Sequence, residues 1–229
     1  MNDMQITSVE SAVIILARTP QRGQVKTRLA ATLGAEAAAE SYRLIAEQLF
    51  AECARLDPAI ARYLFYAGRD ERAIRAWAGA GFRYVPQRSG DFGQRMMAAF
   101  ETVFAAGARK AVIAGSDVPD LSAEVIAEAL HLLDRYPAVI GPDHGGGYYL
   151  LGLRMVYPDL FLRNLAWGTH LVYGHTLEIM QGLGLTPAFL PRLVDVDVEG
   201  DLWRWLQDRT TSHPLVAYVR QLQRNPPGD

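Results

Sequence analysis

Cysteine is nearly missing from this chain of 229 residues: Cys53 stands alone. That excludes an intrachain disulfide and any zinc cage built on several thiolates. Net charge is nearly missing too. With 23 basic and 25 acidic side chains the formal charge is −2, too weak a field to draw nucleic acid by its phosphates or to keep the chain open as an acidic tail. Long hydrophobic runs are also absent. The first apolar stretch, 12–17, is far shorter than the roughly 20 residues of a membrane span, and the residues ahead of it carry acids but no Lys or Arg. The expectation is a cytoplasmic protein with no membrane span and no nucleic-acid partner. There is no internal repeat, low-complexity tract or Pro/Gly/Ser-rich linker. Residues 1–225 are therefore expected to form one domain, and the patternless 226–229 a disordered tail.

What is present is an alternation. Short β-branched or aromatic runs at 12–17, 62–67, 82–86, 110–115 and 139–142 read as strands, and longer helical patterns lie between them. Tyr42, Ile45, Leu49, Cys53 and Leu56 recur every three or four residues, as do Phe92, Met96, Phe100 and Val103, so each set makes one apolar helical stripe. Cys53 falls within a stripe and reads as a buried small hydrophobe rather than a nucleophile. The nearly continuous apolar runs AVIILA and KAVIAG suit a parallel sheet covered on both faces. Residues 148–153 follow the preceding strand too closely for a helical crossover, so an antiparallel strand is expected there. Beyond them 171–183 reads as helical, 187–194 as extended, and 202–209 and 215–222 as helical. Ligands in such sheets bind outside the carboxyl ends of the strands, which directs attention to the loops at 18–25, 87–91, 116–121 and 141–147.

Charge is segregated along the chain. Residues 11–35 contain no acid but carry Arg18, Arg22, Lys26 and Arg28. With Gly23 in the same loop and a helix start expected near Val25, backbone N–H groups and cations can meet one anion, and phosphate is the natural guest. The spacing is not that of the P-loop, and a basic loop without function is the other reading these residues allow. The opposite cluster, 193–203, holds four acids and no base except none to offset them. If extended, Asp195 and Asp197 share one face and Val194, Val196 and Val198 the other. Asp117, directly after the strand at 110–115, offers a further carboxylate. Hard oxygen ligands of this kind suit Mg²⁺ or Mn²⁺ bridging substrate phosphates. Asp117 and Asp197 are the preferred ligands; Asp201 is expected to cap a helix and Asp195 to be a solvated turn residue.

Five ordered blocks carry a resemblance. Leu16-Ala-Arg18, Gly23 and Lys26-Thr-Arg28-Leu-Ala30 resemble the signature loop of GT-A-fold nucleotidyltransferases such as molybdenum cofactor guanylyltransferase and 2-phospho-L-lactate guanylyltransferase. Taken with Gln87…Gly90-Asp91-Phe-Gly93-Gln-Arg95, Gly115-Ser-Asp117-Val-Pro119, Gly146-Gly147-Tyr148 and Asp195-Val-Asp197, the set is similar to a bacterial glycosyltransferase-like family associated with radical-SAM proteins, over about 13–202. The resemblance implies an α/β fold: a single GT-A, Rossmann-like domain with a mostly parallel mixed sheet covered by helices on both faces. It implies a transferase using a nucleoside triphosphate or nucleotide sugar and a small-molecule acceptor, with Mg²⁺ or Mn²⁺. In the implied site Lys26, Asp117 and Asp197 are catalytic, and Arg18, Gly23, Lys26, Arg28, Gln87, Gly90 and Asp91 bind the nucleotide. Asp143, His144, Gly146, Gly147, Tyr148 and Trp167 face the acceptor, and Asp117 and Asp197 hold the metal. One departure stands out: the family's Asp-Gly-Gly-Tyr is Gly145-Gly146-Gly147-Tyr148 here. Asp143 or His144 would then supply the missing carboxylate's role; a nucleotide-binding regulator without turnover and a non-enzymatic interaction scaffold are the alternatives. Of Trp203 and Trp205, flanking Arg204, only one can face the core, and the other would mark a surface for homodimer formation.

Overall fold

Strand β1 (Ser11–Arg18) alternates its side chains between two apolar layers. Val13, Ile15 and Ala17 enter one cluster, and Ala12 and Ile14 the other, as a strand buried on both faces requires. The computed structural model describes residues 10–68, 70–163, 166–207 and 213–224. After β1 come α1 (Thr27–Arg55), β2 (Ile60–Ala67), α2 (Glu71–Ala78), β3 (Arg83–Pro86), α3 (Phe92–Ala105), β4 (Lys110–Ala114) and α4 (Ala123–Leu132). The chain continues through β5 (Ala138–Pro142), β6 (Tyr148–Leu153), α5 (Asp159–Leu162), α6 (Val172–Gly182), β7 (Ala188–Phe189), α7 (Glu199–Leu206) and α8 (Pro214–Arg224).

The seven strands form one mixed sheet in the order β3-β2-β1-β4-β6-β5-β7. β1 is parallel to β2 and to β4, while β6 is antiparallel to both β4 and β5. The expected antiparallel strand at 148–153 is thus wedged between β4 and β5. Strand order reverses at β1, so the carboxyl ends of β1 and β4 flank a crevice. Because β6 runs the other way, its first residue, Tyr148, lies at that same sheet edge. Of the expected extended segment 187–194 only β7 is laddered, with Leu193 forming an isolated bridge to Asp143.

Helices α1, α2 and α4 cover one face and α3, α5 and α6 the other. Buried Cys53 belongs to the first layer, where burial pushes its thiol up to about 12. A third cluster joins the start of α1 (Leu29, Leu33) to Val194 and Val196 and to Trp205 and Leu215 of α7 and α8. Helix α7 begins three residues before the expected 202, and the expected end at 209 lies outside the described residues, as do the tail 226–229 and the N-terminal 1–9. Trp205 is buried; Trp203 is half-buried against the same cluster, its indole N–H donating to Glu199 Oε1 at 2.8 Å. Neither indole is a free surface anchor. Among the described residues no helix is long and apolar enough to cross a membrane.

Candidate active site

Lys26 begins the site. It stands at the cap position of α1 with φ 44° and ψ 49°, the one non-glycine residue with positive φ among the described residues. A left-handed conformation costs an L-residue roughly 1–2 kcal/mol and persists only where the surroundings enforce it. Here they do. The Lys26 ammonium donates to Asp117 Oδ2 at 2.8 Å and to Asp197 Oδ1 at 2.9 Å, and lies 3.5 Å from Asp195 Oδ1. Its side chain is only 7% exposed. Burial opposes its charge, but Asp117, Asp195 and Asp197 outweigh burial and hold the Lys26 pKa above its usual range.

The three carboxylates are brought together by backbone and packing. Asp117 follows β4, and its carbonyl accepts the Val196 N–H at 3.0 Å, tying the two acidic segments to one another. Val194 and Val196 are buried in the third cluster, so Asp195 and Asp197 project to the opposite side, as alternation demands. Asp201 is a capping residue, although not at the cap position expected for it. It is the third residue of α7, and its Oδ2 accepts the N–H groups of Asp197 at 3.1 Å and Val198 at 3.0 Å. That grip fixes the backbone of Asp197.

One carboxylate oxygen from each of Asp117, Asp195 and Asp197 lies within 4.8 Å of the others. Asp195 is therefore the third member of the cluster, not a solvated turn residue: burial, and then the Asp117 charge, raise its pKa well above the usual carboxylate range. Its Oδ1 is buried and accepts no hydrogen bond. Burial opposes the charge of Asp197 too, but Lys26 and Arg28 hold its pKa below the usual range, Arg28 donating to Oδ2 at 2.9 Å. Closely gathered hard oxygens, one of them without a hydrogen bond, fit a divalent cation such as Mg²⁺ or Mn²⁺.

Two pockets meet at this cluster. The smaller, about 350 Å³, is basic, with Arg18, Lys26, Arg28 and Arg95 in its walls beside Gln87 and Tyr42. Gln87 donates to the Phe65 carbonyl at 2.8 Å and accepts from Arg95 at 3.3 Å, so it positions a guanidinium at the ends of β1 and β2. Arg18 donates to the Gln24 carbonyl at 3.2 Å. The larger pocket, about 680 Å³, takes in Asp143, Gly147, Tyr148, Trp167 and His170. Burial pushes the Tyr148 phenol well above its usual range. Trp167 meets Phe92 edge-on, with ring centroids 5.4 Å apart.

Several expected residues stand behind these walls rather than in them. Gly23 turns the basic loop at φ 72° but lines neither pocket. Gly90 and Asp91 serve α3: Asp91 Oδ1 accepts the Gln94 N–H at 2.8 Å and the Gln94 side chain accepts the Asp91 N–H at 3.0 Å, a complete capping box. In the glycine loop, Gly146 has φ 89° and passes so close to His170 that an added Cβ would sit 2.2 Å from the His170 carbonyl oxygen. His144 is exposed and outside the pocket walls. Asp143 is 5% exposed, lines the larger pocket and accepts the Gly147 N–H at 2.9 Å. Asp195 and Arg95 are the residues that sequence reasoning left out. The signal for Asp195 was its place two residues from Asp197 on one strand face; Arg95 is one turn into α3, beyond the loop residues that were searched.

Residues 49–169 match the model of a family described as an uncharacterized protein conserved in bacteria, DUF2064. The chain belongs to this family. A solved candidate nucleotide-diphospho-sugar transferase from Desulfovibrio desulfuricans G20 is 32% identical to this DUF2064 member, covering 93% of it and 95% of that chain at a TM-score of 0.86. Two distant likenesses concern the fold. They are 4-diphosphocytidyl-2C-methyl-D-erythritol synthase from Anaerococcus prevotii DSM 20548, 12% identical over 92% of this chain and 96% of that one at TM-score 0.57, and inositol-1-phosphate CTP transferase from T. maritima, 10% identical over 93% and 97% at TM-score 0.56. No protein of curated function matches the chain. The architecture is that of the nucleotide-diphospho-sugar transferases, as the sequence blocks imply.

Proposed function

We propose that this protein is a metal-dependent transferase acting on a nucleoside triphosphate or nucleotide sugar. One observation carries the reading: a lysine-bound cluster of three carboxylates stands on the border between a basic pocket and a larger acidic and aromatic one. In this reading the basic pocket takes the nucleotide phosphates. Arg18, Arg28 and Arg95 neutralise their charge, and the first turn of α1 adds N–H groups that lack partners within the helix. Asp117, Asp195 and Asp197 would hold Mg²⁺ or Mn²⁺, which when bound supplies charge stabilisation to the departing phosphate oxygens. Lys26 keeps the three acids compensated before the metal arrives and lies within the same pocket as the phosphates once they do. Asp143, buried at the edge of the larger pocket, orients the acceptor and holds its proton.

Inositol-1-phosphate CTP transferase, by its name, joins a nucleotide to a phosphate-bearing acceptor. The nearer relative is named for nucleotide-diphospho-sugars. Both chemistries need only in-line positioning and electrostatic stabilisation, with no protein nucleophile. Thermal melting with nucleoside triphosphates and nucleotide sugars, each with and without Mn²⁺, followed by a turnover assay, tests the reading. Stabilisation by nucleotide that deepens with Mn²⁺ is expected. Nucleotide stabilisation without any metal-dependent product would instead leave a nucleotide-binding regulator, the reading favoured by Gly145 in place of a carboxylate.

A further inference from the structure

The larger pocket differs from the basic one in a way that bears on the acceptor. Its body is apolar, with Met96, Ile113, Leu151 and Val172 beside the rings of Phe92 and Trp167. Its polar wall is acidic, formed by Asp117, Asp143, Asp195, Asp197 and Asp201. Among the described residues its walls carry Arg28 and His170 but no other basic side chain, and the Arg28 guanidinium is held by Asp197 at 2.9 Å. Every other pocket cation belongs to the basic side.

Building on the transferase reading, we infer that the larger pocket selects an acceptor with a ring-sized apolar body and no negative charge, which offers a hydroxyl and not a phosphate to the reaction. A phosphate or carboxylate brought beside five aspartates would meet repulsion with no free cation to offset it, and like-charge juxtaposition is how sites reject a wrong partner. A divalent ion at the triad would not change this, because its charge faces the nucleotide phosphates on the border. The aromatic wall supplies the attraction. Phe92 remains 41% exposed although it stands at the start of α3 in the pocket wall, next to Trp167, so a flat ligand would cover apolar surface that the protein leaves open. A volume of about 680 Å³ holds such a ring together with the transferred sugar. The consequence for the reaction class is that sugar transfer to a hydroxyl is favoured over nucleotidyl transfer to a phosphate.

The test uses four probes that separate shape from charge: tyrosol, tyramine, 4-hydroxyphenylacetate and inositol 1-phosphate, titrated into the full chain with Mg²⁺ by calorimetry and ligand-observed NMR. Tyrosol and tyramine should bind at least about tenfold more tightly than 4-hydroxyphenylacetate, and inositol 1-phosphate least of all. Phe92→Ala, a change at an exposed ring, should weaken tyrosol binding by about fivefold or more. Thr169→Arg, which places a cation in the exposed part of the pocket wall, should narrow or invert the preference against the acids. Equal or tighter binding of 4-hydroxyphenylacetate or inositol 1-phosphate overturns the inference, as does failure of both tyrosol and tyramine to bind at millimolar concentration. Nucleotide affinity is measured in parallel. If nucleotides fail to bind while the charge preference holds, the transferase reading falls and the pocket inference stands; if they bind and the preference is absent, the reverse is true.

Discussion

Lys26 and Asp117 are 91 residues apart in sequence, and the ammonium of the one lies 2.8 Å from the carboxylate of the other. The contact makes Lys26 the standing counter-ion of a cluster that would otherwise repel itself. Removing the charge with Lys26→Met should lower the melting temperature of the ligand-free protein. Breaking a buried ion pair costs 3–5 kcal/mol, and the partial exposure of these acids reduces that to about 1–3 kcal/mol. Mg²⁺ or Mn²⁺ should restore much of the loss. Melting curves with and without metal check this, and a variant as stable as wild type in the absence of metal would refute the counter-ion role.

The backbone at the same position gives a separable effect. With φ at 44°, Lys26 is in a region glycine enters freely. Lys26→Gly and Lys26→Ala lose the same charge, but the glycine variant should be more stable by about 1 kcal/mol, against the usual order of the two residues near a helix. Denaturant midpoints of the two variants decide it.

If Asp117, Asp195 and Asp197 hold one ion, their losses cannot add. Asp117→Asn and Asp197→Asn should each cut Mn²⁺ affinity by about tenfold or more, and the double variant should fall short of the product of the two. Calorimetric titration of the single and double variants measures this, and full additivity would mean separate sites.

In the glycine loop, three adjacent glycines should tolerate substitution very differently. Gly145 is outside the left-handed region, and an added Cβ would meet only Asp143 Oδ1, at 3.3 Å. Gly145→Ala should stay within about 0.5 kcal/mol of wild type, whereas Gly146→Ala, strained at φ 89° and driven into the His170 carbonyl, should cost more than about 2 kcal/mol. Gly145→Asp should fold, and it should change turnover more than nucleotide affinity because it adds a charge on the acceptor side. Urea unfolding and steady-state kinetics on these variants test both statements.

Cys53 predicts an alkaline limit. Its thiol is raised from 9.0 in the unfolded chain to about 12 in the fold, so the neutral form is favoured by folding. That contribution is complete below pH 9 and is lost as pH rises toward 12, because the unfolded state releases its proton first. Cys53→Ala should flatten this part of the stability profile, and the native thiol should react with a disulfide reagent only as fast as the protein opens.

The alternation of apolar runs was enough to read the parallel half of the sheet, since β1, β2 and β4 are buried on both faces and their patterns are nearly continuous. Strand β6 was legible only through the shortness of its connection. Its place between β4 and β5 was not, because strand order is decided by which neighbours pair and not by local pattern. At the site, Asp117 and Asp197 stood out as acids beside strand ends, and Lys26 as a base in an acid-free stretch. That the base and the acids would meet was hidden, for the contact depends on α1 starting in a left-handed turn and on the Val196 to Asp117 hydrogen bond. Asp201 was recognisable as a capping residue, but the earlier start of α7 turns its reach backward onto Asp197.

The third apolar cluster gives the ion cluster a mechanical meaning. Leu29 and Leu33, just past Lys26, and the valines that alternate with Asp195 and Asp197 are all packed there with α7 and α8, whereas Asp117 is carried by the sheet, with Val118 and Leu121 in the first layer. The lysine and two of its acids thus ride on one body and the third acid on another, and their contacts act as a clasp across the seam. A bound ion or phosphate at the clasp would tighten the seam, so the slowing of amide exchange should spread into α7 and α8, whose side chains touch neither.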